Sequence, residues 1–257
     1  MELNPRALAI GVLVGSLLTG GCGDAEPEPP GLRIEVVGVR PHDPGAFTQG
    51  LEVDGDTLYE GTGLRGRSTV RATDLRTGAE LTRVELPEPY FGEGIARAGD
   101  TLWQLTWQDG VAFARDPVTL HTRTEAAYQG EGWGLCARDG QLVMSDGTNT
   151  LTFRDPVTFT PTGSVTLRGQ RGAHLNELDC AADGSVYAND YPTNRILRID
   201  PDSGVVLGVA DASALLTREQ RADAEVLNGI AQLPGTDRFL ITGKYWPAMF
   251  EVRFVPA

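Results

Sequence analysis

Five stretches of this chain can be laid over one another. They are Thr48-Gln-Gly-Leu-Glu-Val-Asp-Gly-Asp-Thr-Leu-Tyr-Glu60, Gly92-Glu-Gly-Ile-Ala-Arg-Ala-Gly-Asp-Thr-Leu-Trp-Gln104, Gly132-Trp-Gly-Leu-Cys-Ala-Arg-Asp-Gly-Gln-Leu-Val-Met144, Leu175-Asn-Glu-Leu-Asp-Cys-Ala-Ala-Asp-Gly-Ser-Val-Tyr187 and Leu227-Asn-Gly-Ile-Ala-Gln-Leu-Pro-Gly-Thr-Asp-Arg-Phe239. Each has an aliphatic residue at its fourth position, a Gly/Asp-rich turn and a second apolar strand. The aligned aliphatics Leu51, Ile95, Leu135, Leu178 and Ile230 are separated by 44, 40, 43 and 52 residues. A four-stranded propeller blade repeats at about 40–45 residues. Short alternating segments bounded by turn residues point to an all-β domain, and the repeat selects a five-bladed β-propeller among the all-β folds.

The second half of each unit repeats too. Segments beginning at Val70, Ala112, Leu151 and Ile196 each give a strand, a turn and a strand. The fifth unit ends early, at Met249-Phe-Glu-Val-Arg-Phe254, so its outer strand is expected from the other end of the chain, Leu32-Arg-Ile-Glu-Val-Val-Gly38. That exchange closes the propeller and hides a sheet edge. The long last interval contains residues 212–225 (ASALLTREQRADAE), whose helix formers predict a short rim helix.

The ends fall outside this pattern. Arg6, an apolar run from Ala7 to Leu18, Gly20-Gly21 and Cys22 describe an export signal over residues 1–21. Leu18-Thr19-Gly20-Gly21-Cys22 resembles a bacterial lipoprotein signal, in which Cys22 carries a lipid anchor. Residues 22–31 form an acidic, Pro-rich tether, and residues 32–257 the domain. The expectation is an exported, periplasmic or outer-membrane protein, monomeric, touching membrane only through Cys22. A net charge of -13 argues against nucleic acid, which needs clustered Lys and Arg. Cys136 and Cys180 remain, either as a disulfide or as two buried thiols.

In a propeller the innermost strands line a central channel, with alternate residues pointing into it. The second aligned position holds Gln49, Glu93, Trp133, Asn176 and Asn228. These differ from one another while their neighbours repeat, as expected of a site rather than of a core. Glu93 sits between glycines behind Phe91, where desolvation raises a carboxyl pKa. A second layer, roughly one hairpin downstream, holds Trp107, Tyr191 and Lys244, with Trp246 close by. Lys244 is the sole lysine in the chain, and arginine does not replace an ammonium.

Phe47-Thr-Gln-Gly-Leu51, Gly61-Thr-Gly-Leu-Arg-Gly-Arg-Ser68, Phe91-Gly-Glu-Gly-Ile95, Leu105-Thr-Trp107, Gly132-Trp-Gly-Leu135, Ser145-Asp-Gly147, Leu175-Asn-Glu-Leu178, Asn228-Gly-Ile-Ala231 and Thr242-Gly-Lys-Tyr-Trp-Pro247 stand in one order over most of the chain. This series resembles the plant-type glutaminyl-peptide cyclotransferases of plants and bacteria. The resemblance implies conversion of an N-terminal glutamine to pyroglutamate with release of ammonia, without a metal or other cofactor. It implies Glu93 as proton carrier, Asn176 as an orienting amide and Lys244 as a cation that hydrogen-bonds the pocket and steadies Glu93. Phe47, Gln49, Phe91, Trp107, Trp133 and Tyr191 would bind the substrate, a peptide with N-terminal Gln. Tyr191 departs from the pattern, which has tryptophan there, and Gly61-Thr-Gly63 lacks the expected Glu-Ser start.

The animal-type cyclotransferases use a catalytic zinc, but the three histidines, His42, His121 and His174, lack ligand spacing. Two rivals stand beside the enzyme. A non-catalytic binding propeller would need the aromatics and amides but no proton carrier. A metal-dependent lactonase-type propeller would need several oxygen ligands converging on the axis, and only Glu93 is acidic among the five ring positions.

Overall fold

The computed structural model describes Met1 and residues 28–257. The expected signal and Cys22 lie outside the described residues. Among the described residues no helix is long and apolar enough to cross a membrane.

Strands are nearly all of the regular secondary structure among the described residues, with one short 3-10 turn beside them. The first sheet runs in sequence order from β1's successor: β1 is Gly31–Pro41, and β2 (Thr48–Asp54), β3 (Thr57–Thr62), β4 (Thr69–Asp74) and β5 (Glu80–Glu85) form a four-stranded meander. A second consists of β6 (Gly92–Ala98), β7 (Thr101–Thr106), β8 (Val111–Arg115) and β9 (Thr122–Ala127). A third consists of β10 (Leu135–Arg138), β11 (Gln141–Ser145), β12 (Thr150–Arg154) and β13 (Pro161–Thr166). The remaining strands are β14 (Leu175–Cys180), β15 (Val186–Asp190), β16 (Arg195–Asp200), β17 (Val205–Asp211), β18 (Leu227–Gln232), β19 (Phe239–Gly243) and β20 (Ala248–Pro256). They join β1 in one eight-stranded sheet of order β14-β15-β16-β17-β1-β20-β19-β18. The N-terminal strand pairs antiparallel with β20 from Leu32↔Pro256 to Pro41↔Ala248, and parallel with β17 at Gly31 and Leu32. The expected exchange between chain ends is therefore present, and it also staples β17.

The arrangement is propeller-like. Strands β2, β6, β10, β14 and β18 each lie against the next, and β18 lies against β2. Apolar clusters fill the wedges between successive sheets, as where Ala96, Trp103 and Leu105 meet Leu135, Leu142 and Met144. The five repeated aliphatics sit at the heart of these wedges, none more than 2% exposed. Burying each contributes roughly 1.5–3 kcal/mol. The outer hairpins repeat a polar device. Asp74, Asp116 and Asp155 each accept the backbone N–H groups two and three residues on, and a Thr hydroxyl, through one oxygen. Such Asp-initiated turns preset the strand reversal.

At the axis the inner strands approach too closely for side chains. A Cβ at Gly134 would overlap the Asn176 carbonyl. Gly50, Gly94 and Gly229 hold the equivalent third position, and β14 alone places a side chain there, Glu177. Cys136 of β10 and Cys180 of β14 form a disulfide, which resolves the two readings of these cysteines. The rim helix expected over residues 212–225 is not formed. Only Gln220–Ala222 make a 3-10 turn, without a side-chain cap, while Ala212 and Leu216 turn inward into the core. Burial of those two residues outweighs a helix propensity too short to nucleate alone.

Candidate active site

One end of the channel gathers the predicted residues. Gln49 of β2 donates Nε2 to Glu93 Oε1 of β6 at 2.8 Å. Asn228 of β18 in turn donates Nδ2 to Gln49 Oε1 at 2.9 Å and to the Thr48 carbonyl at 3.0 Å. Two amides are thus aligned head to tail, ending on one carboxylate. Glu93 is only 4% exposed, and its Oε2 has no hydrogen-bond partner among the described residues. Asn176 Oδ1 is likewise buried and open. Burial drives the Glu93 carboxyl well above the ordinary range, Lys244 opposes this and Glu131 adds to it.

Lys244 follows β19 and is 7% exposed. Its Nζ stands 4.6 Å from the Phe47 ring centroid and 5.6 Å from that of Tyr191. Burial lowers its pKa, against the fields of Glu93 and Glu225. The Lys244 ammonium makes no hydrogen bond to another described residue. Among the described residues the ammonium rests on aromatic faces and acts on Glu93 as a charge at a distance.

The aromatic residues form a collar. Phe47 meets Phe91 edge-on at 6.0 Å, and Phe91 meets Trp107 at 5.6 Å. Trp133 meets Tyr191 edge-on at 5.5 Å. Ionic groups bridge the two arcs, Lys244 between Tyr191 and Phe47 and Glu131 between Trp107 and Trp133. The Phe91 ring can lie against the turn after β3 only because Gly63 has no Cβ, which would overlap it. Tyr191, 37% exposed, is the most open member. The Ser145 hydroxyl fixes the turn that presents Trp133, bonding Gly134 N at 2.7 Å and the Asn176 carbonyl at 2.6 Å.

Eight of the nine predicted site residues are linked by these contacts; the ninth, Asn176, holds the same aligned position on β14, with its Oδ1 buried and unpartnered. Trp246 lies apart, buried in the core with its indole on the Glu225 carbonyl. Tyr245, edge-on to Phe47 at 5.2 Å, takes its place beside the collar. Sequence reasoning missed Glu131, which lies outside the aligned segments. It also missed the third-position Glu177, whose signal was available as one glutamate among four glycines. Glu177 accepts Leu51 N at 2.9 Å and Ile230 N at 2.7 Å across the axis. Glu52 and Asp179 stand near it and add their fields. A separate groove of about 590 Å³, lined by Arg40, His42, Glu60 and Arg71, contains none of the site residues.

The glutamine cyclotransferase family model matches residues 9–254. The chain belongs to the glutamine cyclotransferase family. A member from Arabidopsis thaliana, a glutaminyl-peptide cyclotransferase, is 38% identical over 232 residues, covering 88% of this chain and 72% of its own. The crystal structure of Myxococcus xanthus glutaminyl cyclase superposes with a TM-score of 0.79 at 40% identity, covering 90% of this chain and all of that one. The site thus joins a buried carboxyl, one oxygen held by Gln49 and the other unpartnered among the described residues, to a collar of flat side chains.

Proposed function

We propose that this chain is a glutaminyl-peptide cyclotransferase that works at the collar end of its channel. The free α-amine of an N-terminal glutamine attacks its own side-chain carboxamide carbon. A C–N bond closes the five-membered lactam, and the bond to the amide nitrogen breaks to release ammonia. Because attack is intramolecular, the protein must chiefly select the folded-back conformer, and the aromatic collar offers walls for it. Glu93 takes the proton from the attacking amine and delivers it to the departing ammonia. Asn176 Oδ1 orients the glutaminyl group, and Lys244 supplies positive charge beside it. The observation that carries this reading is the buried Glu93 carboxylate with one oxygen held by Gln49 and the other free.

The same reading takes the architecture as five-bladed. The eight-stranded sheet is then two blades merged through β1, supported by its order and by the ring of inner strands. The protein acts as an exported monomer tethered through a lipid on Cys22. The disulfide between Cys136 and Cys180 supports an oxidising compartment. Replacing Cys22 with Ala should release the protein from the membrane fraction.

Ammonia release from a Gln-initiated dipeptide, with chelator present, tests the activity. Turnover is expected to persist in chelator and to fall about 10²-fold or more in Glu93→Gln. A folded chain without turnover would instead be a binding propeller.

A further inference from the structure

Glu131 lies in the loop between β9 and β10, two residues before Trp133, on no repeated position. Its Oε2 accepts the indole N–H of Trp107 at 2.8 Å and that of Trp133 at 2.9 Å. Its Oε1 accepts Gln108 Nε2 at 2.9 Å. The two tryptophans come from different sheets, one just past β7 and one just before β10. No aromatic contact joins them directly, so the collar is closed on this side by a single carboxylate. A charged acceptor makes shorter and stronger bonds than a neutral one, and one oxygen shared by two donors fixes their mutual angle.

The choice of a carboxylate has a second consequence. Three N–H donors hold its negative charge in place at the mouth, and burial, though it opposes ionisation, is outweighed by them, so Glu131 stays ionised below the ordinary range. The charged and titratable groups whose fields reach Glu93 are Lys244, Glu131 and, reciprocally, the Tyr128 phenol. Lys244 and Glu131 therefore act on Glu93 with opposite signs from the two joints of the collar.

We propose that Glu131 is a positioning residue, whose carboxylate sets the separation and tilt of the Trp107 and Trp133 walls and whose charge balances Lys244 at Glu93. This rests on the collar being the substrate pocket. Glu131 touches no reacting atom in that reading; it acts through the tryptophans and through the field.

The test uses Glu131→Ala, Glu131→Gln and Glu131→Asp in the full chain, with three readouts. Near-UV circular dichroism and indole fluorescence report the walls without turnover. Only four tryptophans are present, two of them in the clamp, so a changed indole band in the Ala variant is expected to be plain. Steady-state kinetics on a Gln-initiated dipeptide should show KM raised about 10-fold in the Ala variant and kcat changed less, with Gln recovering most of the KM. The acid limb of the pH profile should move to lower pH in both Ala and Gln, which lack the charge, and stay in place in Asp. Unaltered indole spectra together with an unmoved acid limb in Glu131→Ala would overturn the proposal. Absence of turnover in every form, with the spectral change present, would sink the cyclotransferase reading and leave the clamp standing. Should the Ala variant fail to fold, Glu131→Gln deletes the charge while keeping an acceptor for the indoles, and an acid limb unmoved from the parent's in that variant would overturn the proposal.

Discussion

Gln49 and Glu93 come from neighbouring inner strands, and the Gln49 amide donates to one oxygen of the Glu93 carboxylate at 2.8 Å. The other end of that amide is taken by Asn228, so Gln49 cannot turn its carbonyl toward Glu93 without losing both bonds. The pair therefore delivers an oriented donor to a buried acid. Such a bond favours the ionised carboxylate, partly offsetting its desolvation.

Replacing Gln49 with Leu keeps the volume and removes the donor. Glu93 should then ionise less readily and lose its fixed rotamer. The acid limb of kcat/KM is expected to move to higher pH, with kcat down about 10-fold and the melting temperature lowered by roughly 2–12 °C, because a Glu93 oxygen and an Asn228 N–H are left buried without a partner at a cost of about 1–3 kcal/mol. A pH–rate profile of the variant decides it.

Lys244 sits over the Phe47 ring, and its charge reaches Glu93 from there. Lys244→Met retains the packing and deletes the charge that favours ionised Glu93. Its acid limb should rise in pH, and activity at neutral pH should fall about 10²-fold. Lys244→Arg should restore the limb but not KM, because a planar guanidinium covers the rings differently. An acid limb unmoved in the Met variant would remove the role assigned to the ammonium.

The parts of this molecule that were legible in the sequence are those that repeat, or that break a repeat. Leu51, Ile95, Leu135, Leu178 and Ile230 recur because each wedge needs the same buried aliphatic. Gln49, Glu93 and Asn228 could be picked out because they occupy a repeated position with unlike chemistry. Glu177 breaks the neighbouring glycine position equally clearly, yet its role in bonding strands across the axis becomes apparent only once the five inner strands converge there. Glu131 had no signal of this kind. It stands in an irregular loop, and its two tryptophans are 24 and 2 residues away along the chain. The rim segment misled because propensity is local, whereas the burial of Ala212 and Leu216 is not.

His42 ties the first and last parts of the chain together. Its Nε2 lies 3.0 Å from Glu60 Oε1 and its Nδ1 2.6 Å from the Trp246 carbonyl, so the doubly protonated ring satisfies both acceptors. Arg71 and the Thr48 hydroxyl complete the shell of Glu60. Burial alone would lower the imidazole pKa and raise that of Glu60. Their mutual bond and charge prevail, raising His42 above 6.5 and pulling Glu60 from 4.5 down to about 2. The His42 contribution is fully present below pH 6.5 and is lost as pH rises through its raised value. That of Glu60 is present above pH 4.5 and is lost as pH falls through about 2. His42→Phe should thus lower the melting temperature most between about pH 4.5 and 6.5, by roughly 6–20 °C for a loss of about 3–5 kcal/mol. Thermal melts of both forms across pH 4–9 should show the gap narrowing on the alkaline side.

The carboxylates near Glu177 push stability the same way for a different reason. Burial raises Glu177 well above the ordinary range, in spite of its two backbone bonds. It raises Glu52 to about 8, against the bond from Arg97 N, and Asp179 to about 7, against one from Gln232. In each the folded state holds the proton more tightly than the unfolded one. Their contribution is therefore complete below the ordinary carboxylate range and is lost as pH rises through about 7 and about 8. The unmodified protein should melt at progressively lower temperature from pH 5 to pH 9. Combining Glu52→Gln with Asp179→Asn makes two of the three groups permanently neutral and should flatten that decline without touching the His42 window. Both variants keep an oxygen to accept a backbone N–H, so the loss at pH 5 should stay small. A double variant that declines as steeply as the parent would mean that these carboxyls are ionised together in the folded state, and that the channel holds their charge by some means other than protonation.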